Sequence, residues 1–529
     1  MDREHKHRLV EQLQEGIAAR EIPFHLAYWD SQVEATPDND RRRAEAELEL
    51  RRYKGDPEAL RAVQRALDDD LHEPKLKRQL EVLRLTLTAN QMDEPRRAEL
   101  VELSSAVEGD FTTFRAEADG RRLSENDIID ILRTSDDDAD RRSAWEASKQ
   151  IGPVVAERVR ELARLRNSVA RDLGYADHYA MALALQELDE GWLFATLGEL
   201  ERLTERPFKA YKRALDDALR RRFGIDEVMP WHYSDPFFQM VPMDGRVDLG
   251  PVLSGIDLVE ATKQTFAALG IDISGALAKS DLYPREGKSQ HAFCLDIDRS
   301  GEDVRILANI VPGEYWAEVI LHESGHAAYD LSIDHRVPYL LHRPAHTFVT
   351  ESIALLCGRL IREAEWLARF GGLAGGEARA LEQRLQVAAA SQLLVFVRWG
   401  LVMVHFERAL YSDPEADLDA LWWELVERFQ GVVPPPGRRA PDWATKIHLA
   451  VAPVYYHNYI LGELVASQLR RALRERFGSL LAPAAGAWLR DELFAHGNLV
   501  HWDDLLRTAL GAGPSPRALA ADLAVLDQR

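Results

Sequence analysis

The run His322-Glu323-Ser324-Gly325-His326 contains residue types that can hold a metal ion and use it for hydrolysis. On an α-helix, residues four apart leave the same face one turn apart, so both imidazoles can share one ion. Glu323 lies between them and can act as a general base on a metal-bound water without becoming a ligand. The pattern predicts a zinc hydrolase site. The alternative is an amphipathic helix with two surface-facing histidines.

A catalytic zinc site with three protein ligands needs one donor besides the two histidines. Glu351 is the preferred candidate. It opens an apolar helix, residues 352–361, in which a carboxylate has no other evident role. The interval from His326 leaves room for a loop and a returning helix. The alternative is a glutamate that interacts with the dipole of its own helix. Further candidate donors downstream are Asp330, Asp334, His335, His342 and His346.

One region has the pattern of a β-hairpin, directly upstream of the predicted zinc helix. Residues 291–298 and 303–310 are strand-like and flank a turn at Arg299-Ser-Gly-Glu302. A strand edge in this place could hold an extended peptide through main-chain hydrogen bonds. The alternative is a packing hairpin without a role in substrate binding.

Histidine and tyrosine side chains recur further along the chain. Lys446-Ile-His448 is followed by Tyr456 and Tyr459, which lie three residues apart and therefore share one face of a helix. Peptide hydrolysis develops negative charge on the carbonyl oxygen, and hydroxyl or imidazole donors can stabilise it. The alternative is that these side chains are core residues with satisfied hydrogen bonds.

Composition limits the other classes of function. With 87 acidic against 66 basic residues, the formal net charge is −21, which argues against nucleic acid or an anionic membrane as partner. The N-terminal segment is charged and shows no secretory signal, so we expect a cytoplasmic protein. Two cysteines, Cys294 and Cys357, form no disulfide framework, which agrees with a reducing compartment. The most apolar segment, residues 387–406, predicts a buried helix and not a membrane span.

In their order along the chain, these motifs resemble the angiotensin-converting-enzyme family of zinc peptidyl-dipeptidases, over most of the sequence. The matching features are Trp145 with residues 170–176, His291-Ala292, Asp296 with Val304-Arg-Ile306, the zinc motif with Glu351, Trp422-Trp423, Arg428-Phe-Gln-Gly431, Pro434-Pro435, Lys446-x-His448, and the pair Tyr456 and Tyr459. The thimet-type oligopeptidases share the zinc motif, the ligand interval and the tyrosine pair. The gluzincin superfamily is therefore expected, with the peptidyl-dipeptidase branch preferred.

The resemblance implies a catalytic role for several matched residues. His322, His326 and Glu351 would bind one Zn²⁺ ion, and Glu323 would activate the water on it. Tyr459 would stabilise the oxyanion, and His448 would hydrogen-bond a substrate carbonyl.

The resemblance also implies a set of peptide-binding residues. His291 would bond a substrate carbonyl, and Ala292 would offer main-chain contacts. Lys446 would pair with the terminal carboxylate of the substrate, which is the physical basis for release of dipeptides. Tyr456 would lie near the C-terminal end of the substrate, and Gln239 would belong to the same subsite.

The chain departs from the family pattern at three positions. The acidic residue four positions after the third ligand is replaced by Leu355, so an orienting carboxylate is missing there or comes from elsewhere. Asn458 replaces the arginine that the family associates with chloride activation, which argues against chloride dependence. Gln290 occupies the position where secreted members of the family have a disulfide-bonded cysteine, and its presence agrees with a cytoplasmic form.

Helical periodicity along the chain and the resemblance together predict a mostly α-helical fold. The expected shape is a two-lobed ellipsoid with a deep central groove and one small antiparallel β-sheet beside the zinc helix. We expect residues 1–529 to form a single catalytic unit. Within it, residues 1–120 would be lid-like helices, residues 121–290 a helical lobe, and residues 291–529 the hairpin, the zinc helix and a C-terminal helical lobe.

The expected function is zinc-dependent hydrolysis of short, unstructured peptides, with release of C-terminal dipeptides. Peptides are the expected partners, without nucleic acid or membrane, and the sequence indicates no oligomeric state. An endo-acting oligopeptidase of the same fold is the first alternative. A catalytically inactive peptide-binding protein, suggested by Leu355, is the second.

Overall fold

The computed structural model describes residues 1–68, 72–118, 120–242 and 247–528. Helices dominate this part of the chain, and the predicted mostly α-helical class is confirmed. The α-helices are α1 (Arg3–Val33), α2 (Pro37–Lys54), α3 (Pro57–Asp68), α4 (Pro74–Thr88), α5 (Glu94–Thr113), α6 (Glu125–Thr134), α7 (Asp138–Ser148), α8 (Gly152–Asp172), α9 (His178–Leu185), α10 (Glu190–Phe223), α11 (Gly250–Leu253), α12 (Leu258–Ala268), α13 (Ser274–Lys279), α14 (Glu314–Leu331), α15 (Thr347–Gly358), α16 (Ala364–Arg369), α17 (Gly375–Ser412), α18 (Leu418–Gln430), α19 (His448–Val451), α20 (Tyr456–Phe477), α21 (Pro483–Glu492), α22 (Trp502–Leu510) and α23 (Pro516–Asp522). The 3-10 helices are Pro230–His232, Tyr339–Leu341, Arg359–Arg362, Asp442–Thr445, Phe494–His496 and Leu523–Gln528.

The strands of the described residues form two antiparallel hairpins. β1 (Ala116–Ala118) pairs with β2 (Arg121–Leu123), and β3 (Phe293–Asp296) pairs with β4 (Val304–Leu307). The β3–β4 hairpin is the predicted one, but its strands are shorter, and residues 291 and 292 precede the first paired residue. The first hairpin was not predicted, because three-residue strands offer too few positions for an alternating pattern.

The chain divides into two compact units, and each is assembled from segments that are distant in sequence. Unit 1 comprises Met1–Gln91, Asp248–Leu385 and Leu461–Ala518. Unit 2 comprises Met92–Val247, Gln386–Ile460 and Leu519–Arg529. The predicted ranges 1–120, 121–290 and 291–529 assign roles along the chain, and those roles stay predictions.

In unit 1 the N-terminal helices α1, α3 and α4 share an apolar core with the 3-10 helix Tyr339–Leu341. The buried members of this core are Val10, Leu13, Ile17, Leu60, Val63, Ala66, Leu76, Leu80, Leu83, Leu87 and Leu340. These positions follow the three- and four-residue spacing of amphipathic helices, so burial of their apolar stripes holds the helices together.

The buried carboxylate of Glu21 joins α1 to the β3–β4 hairpin. It lies 2.7 Å from Lys54 Nζ and 2.7 Å from Arg299 Nη2, and it accepts a hydrogen bond from the Tyr339 hydroxyl at 3.0 Å. Burial alone would raise the pKa of Glu21, but Arg299 and Lys54 outweigh it and lower that pKa to about 2. One turn further along α1, His25 Nδ1 lies 2.9 Å from the carbonyl oxygen of Ile297.

Unit 2 contains the apolar part of α17. By length and composition this helix could cross a membrane, but most of its apolar stretch is buried within the protein, as in a core helix. The predicted burial of residues 387–406 is confirmed, with Leu394, Val397 and Phe406 all fully buried. Local sequence also sets helix starts in this unit, since Ser124 and Asp127 form the capping box that begins α6.

Candidate metal centre

The helix α14 carries the His-Glu-x-x-His motif in unit 1. It begins at Glu314 after Gly313, whose φ of 144° lies in a region that favours glycine. His322 and His326 lie one turn apart, and their ring centroids are 5.1 Å from each other. Ile320, Leu321, Ala327 and Ala328 are buried, which fixes the orientation of the helix and of its two histidines.

The helix α15 brings Glu351 to the same place. It begins at Thr347, so the prediction that Glu351 opens this helix was wrong. The reason is His346, whose Nδ1 accepts a hydrogen bond from the backbone N–H of Phe348 at 3.2 Å and caps the helix four residues earlier than expected. Glu351 therefore lies beyond the first turn, where a helix dipole has little effect.

Small residues allow α14 and α15 to approach closely. A Cβ atom on Gly325 would lie 2.9 Å from the Cα of Ala354 and 3.2 Å from the Cβ of Cys357. A Cβ atom on Gly358 would lie 3.2 Å from the carbonyl oxygen of Glu318. A larger residue at either position would push the helices apart, and with them the side chains of Glu351 and the two histidines.

The three predicted metal donors converge. His322 Nε2 lies 3.8 Å from Glu351 Oε1, and His326 Nε2 lies 3.7 Å from Glu351 Oε2. One donor atom from each residue lies within 4.8 Å of the others. Among the described residues, no other group of histidine, cysteine, aspartate and glutamate side chains meets this criterion.

The donor set fits zinc. Burial lowers the pKa of His322 to about 4 and that of His326 to about 3, so both imidazoles are neutral at neutral pH and present free lone pairs. Tetrahedral zinc with bonds of about 2.0–2.1 Å places its ligand atoms roughly 3.4 Å apart. The two shortest histidine–carboxylate separations, 3.7 and 3.8 Å, exceed this by only a few tenths of an ångström, which side-chain rotation can supply.

Two carboxyl groups at this centre have strongly raised pKa values without a cation. Burial, with Glu463 nearby, raises the pKa of Glu351 to about 7. Burial and the neighbouring Glu351 raise the pKa of Glu323 to about 8, although the backbone of Cys294 opposes this shift. A divalent cation would favour the ionised form of each carboxyl and oppose these shifts. Two neighbouring carboxyl groups of this kind fit a site that holds a divalent cation.

Two further polar side chains neighbour the predicted metal donors. His326 Nδ1 lies 2.7 Å from Thr350 Oγ1, and a proton on Nδ1 would leave Nε2 free to bind a metal. Glu318, one turn before His322 on α14, accepts two hydrogen bonds from Arg362 at 2.9 and 2.7 Å. Neither Thr350 nor Glu318 was predicted from the sequence.

The remaining alternatives for the third donor have other positions. His346 caps α15, as described above. Asp330 is half-buried near Asp296, and desolvation raises the pKa of Asp330 well above its usual range. His335 and Asp334 line a surface cavity at the C-terminal end of α14. His342 Nδ1 lies 4.0 Å from Asp296 Oδ2.

In unit 2 the predicted oxyanion donors form an aromatic cluster. The rings of Tyr456 and Tyr459 have centroids 5.3 Å apart, and the rings of His448 and Tyr456 are also 5.3 Å apart. The indole Nε1 of Trp399 donates to the Tyr456 hydroxyl at 2.8 Å. Burial, with a contribution from Lys446, lowers the pKa of His448 to about 4, so this imidazole is neutral at neutral pH.

Lys446 and Gln239 meet in unit 2, although they are far apart in sequence. Lys446 Nζ donates to Gln239 Oε1 at 3.0 Å. Gln239 belongs to a tight loop in which the buried Asp235 accepts hydrogen bonds from the backbone N–H groups of Phe237, Gln239 and Met240. Burial lowers the pKa of Lys446 to about 8, while Asp235 opposes this shift. Residues 243–246, which follow this loop, lie outside the described part of the chain.

The predicted peptide-edge residues precede the sheet. His291 is exposed and Ala292 is half-buried, immediately before β3. In the same strand, the backbone of Cys294 lowers the pKa of Glu323, and β3 packs against α14, the helix that carries the metal motif. This interaction between the sheet and the candidate base was not visible in the sequence.

A His-Glu-x-x-His helix joined by a glutamate from a second helix, in a mostly helical protein, defines a gluzincin metallopeptidase. The chain belongs to peptidase family M3, whose family model matches residues 131–525. The family model described as angiotensin-converting enzyme matches residues 1–203. A search of curated proteins found no match. The predicted superfamily is confirmed, and the chain is a zinc metallopeptidase, a hydrolase that acts on peptides.

Proposed function

We propose that this peptidase uses one zinc ion, held by His322, His326 and Glu351, to release C-terminal dipeptides from short, unstructured peptides in the cytoplasm. The convergence of the three donors, with Glu323 buried beside them, is the observation that carries the proposal. The net charge of −21 supports peptides, and not nucleic acid or anionic membranes, as partners.

Glu323 is the proposed general base. When bound, zinc acts as a Lewis acid that polarises the scissile carbonyl and makes water more acidic. The Glu323 carboxylate takes a proton from the attacking water and then delivers it to the nitrogen of the leaving amine. The products are a carboxylic acid and an amine, which ionise to a carboxylate and an ammonium group, so atoms and charge balance. The backbone of Cys294 supports this role because it favours the ionised form of the Glu323 carboxyl.

Tyr459 and His448 are the proposed stabilisers of the negative charge that develops on the carbonyl oxygen. A hydroxyl and a neutral imidazole can both donate a hydrogen bond to an oxyanion. The low pKa of His448 supports donation from a neutral ring. Tyr456, whose hydroxyl already accepts a hydrogen bond from Trp399, is assigned to substrate binding.

Lys446, together with Gln239, is the proposed site for the C-terminal carboxylate of the substrate. An ammonium group and an amide N–H₂ can bind the two oxygens of a carboxylate. Their hydrogen bond, and the loop that Asp235 holds, support a subsite arranged before substrate arrives. His291 and Ala292, next to β3, are assigned to main-chain contacts with the peptide.

An endo-acting oligopeptidase is the second candidate, because the charge of Lys446 already has an internal partner. Asp235 raises the pKa of Lys446 against the effect of burial, and Gln239 occupies one of its donor positions. A lysine that is compensated in this way gains less from a substrate carboxylate. Cleavage would then depend on peptide length and not on a free C-terminus.

A binding protein without catalytic activity is the remaining candidate, suggested by Leu355. It receives less support, because Thr350 supplies a polar contact to His326 and Glu463 lies near Glu351. Elemental analysis tests it directly. Stoichiometric zinc in the purified protein, lost in His322→Ala, would exclude a zinc-free binding role.

Mass spectrometry of a model decapeptide tests the specificity. We expect sequential loss of C-terminal dipeptides, complete inhibition by a chelator, and no cleavage of the same peptide with an amidated C-terminus. Internal cleavage at an unchanged rate after amidation would reject the dipeptidase and support the endo-acting candidate. Absence of cleavage in a zinc-loaded preparation would reject both.

A further inference from the structure

A strained backbone connects two of the proposed catalytic elements in unit 2. Residues 452–455, the connector, join α19, which begins at His448, to α20, which begins at Tyr456. Within the connector, Val454 has a φ of 52°. A β-branched side chain rarely adopts this left-handed conformation, because its Cβ crowds the neighbouring carbonyl. Such a conformation persists only where surrounding contacts hold it.

The buried Glu407 and the half-buried Gln186 hold both main-chain polar groups of Val454. Its N–H donates to Glu407 Oε1 on α17 at 2.7 Å. Its carbonyl oxygen accepts from Gln186 Nε2, at the end of α9, at 3.1 Å. Val454 and Glu407 are 1% and 3% exposed, so water does not compete for the N–H bond.

Further bonds extend from the connector in both directions. Gln186 Oε1 accepts from Asn458 Nδ2 at 2.9 Å and lies 3.0 Å from His457 Nε2, in the first turn of α20. On the other side, the guanidinium of Arg166 on α8 donates to the carbonyl oxygens of Leu449 and Ala450 in α19. The segment from His448 to Tyr459 is thus anchored by α8, α9 and α17.

We propose that Glu407 and Gln186 are positioning residues, which hold the connector in its strained conformation and thereby fix Tyr456 and Tyr459 relative to His448. The inference rests on the proposed function for the catalytic role of these three residues, but the holding of the connector is independent of it. Neither residue touches substrate in this scheme.

Burial of a carboxyl group destabilises a protein unless the group makes specific contacts, which supports a specific role for Glu407. Burial raises the pKa of this carboxyl to about 8, while its bond to Val454 and the nearby Arg166 oppose the shift. An apolar residue of similar size would avoid the desolvation of a carboxyl group but could not accept a hydrogen bond from the N–H of Val454.

Glu407→Leu removes the acceptor and keeps the volume. A small displacement of a catalytic group strongly lowers the rate of the chemical step. We therefore expect kcat on a model peptide with a free C-terminus to fall about 30- to 100-fold, while KM changes less than about threefold. Hydrogen–deuterium exchange of residues 449–460 should rise. Glu407→Gln keeps an acceptor oxygen and should retain exchange protection and most of kcat.

Relief of the strain provides the specific control. In the Glu407→Leu background, Val454→Gly makes the left-handed conformation accessible without a penalty, and we expect it to recover about tenfold of the lost kcat. Val454→Ala removes the branch but retains the Cβ, and should recover much less. A merely structural role for Glu407 predicts no difference between glycine and alanine at this position.

The outcomes separate this inference from the proposed function. Unchanged kcat and unchanged exchange in Glu407→Leu would overturn the inference, as would equal recovery by glycine and alanine. If Glu407→Leu does not fold, Gln186→Leu tests the same connector. Wild-type hydrogen–deuterium exchange at residues 449–460 in Gln186→Leu would then overturn the inference. If the wild-type protein cleaves no peptide, the proposed function fails, whereas the exchange measurements still decide whether Glu407 holds the connector.

Discussion

The Nδ1 atom of His326 lies 2.7 Å from the hydroxyl oxygen of Thr350, the residue immediately before the third metal donor. This contact orients the imidazole from the side opposite its metal-binding nitrogen. It offers an orienting partner in a chain that carries Leu355 where an acidic residue was expected.

Thr350→Val, which replaces the hydroxyl by a methyl group of similar size, should weaken zinc binding about 10- to 100-fold. Competition with a chromogenic chelator measures the affinity directly. Thr350→Ser retains the hydroxyl and is the matched control, for which near wild-type affinity is expected. Equal affinities of the valine and serine variants would contradict an orienting role.

Gly325→Ala tests the close approach of α14 and α15. The new Cβ would lie 2.9 Å from the Cα of Ala354, so the helices must separate and the three donors with them. We expect a lower midpoint of thermal unfolding and substoichiometric zinc. Gly109→Ala is the control, since its Cβ would meet nothing within 4 Å and alanine favours the helix α5. Full zinc content in Gly325→Ala would contradict the packing argument.

Glu323→Gln should separate catalysis from metal binding. The amide keeps the size of the side chain but cannot take a proton, so the rate of hydrolysis should fall about 10²- to 10⁴-fold. Zinc content should stay stoichiometric, because Glu323 is not among the three converging donors. Initial rates and elemental analysis of the same preparation check this prediction, and loss of zinc together with activity would instead make Glu323 a ligand.

Lys446 should impose a pH dependence on recognition of a free C-terminus. Its pKa is lowered to about 8, chiefly by burial, so the cation is present below that pH and is lost as the pH rises through it. KM for a free-carboxylate peptide should therefore increase above pH 8, and Lys446→Met should raise KM about 10- to 100-fold at pH 7. Any cleavage of the amidated peptide should show neither effect. A KM independent of both pH and substitution would favour the endo-acting candidate.

Glu21→Gln tests the anchoring of α1 in unit 1. The folded-state pKa of Glu21, about 2, lies below its ordinary value of 4.5, so the carboxylate contributes stability above pH 4.5 that is lost as the pH falls towards 2. We expect the substitution to lower the free energy of unfolding by about 2–3 kcal/mol at pH 7, and by less at pH 3. Glu58→Gln, at an exposed ion pair with Arg61, is the control in denaturant titrations and should leave the unfolding midpoint unchanged.

Local signals in the sequence predicted much of the secondary structure. The capping box of Ser124 and Asp127 and the glycine before α14 are short-range features that act within one helical turn, and α6 and α14 begin directly after Ser124 and Gly313. The predicted start of α15 was wrong because a histidine cap is a weak signal in a sequence. The β1–β2 hairpin was missed because its strands have only three residues each.

The sequence by itself determined which residues could bind and use a metal. His322 and His326 share a helix face whatever surrounds them, because the α-helix sets their spacing, and Glu323 then lies beside them. It also determined the superfamily, through several short motifs in a fixed order.

Only the tertiary structure decided that Glu351 meets the two histidines, that Thr350 contacts His326, and that Lys446 contacts Gln239. These contacts join segments whose separation depends on how helices pack. Packing depends on side-chain volumes summed over many positions, such as the absent side chain of Gly325, and no local pattern in the sequence reports that sum.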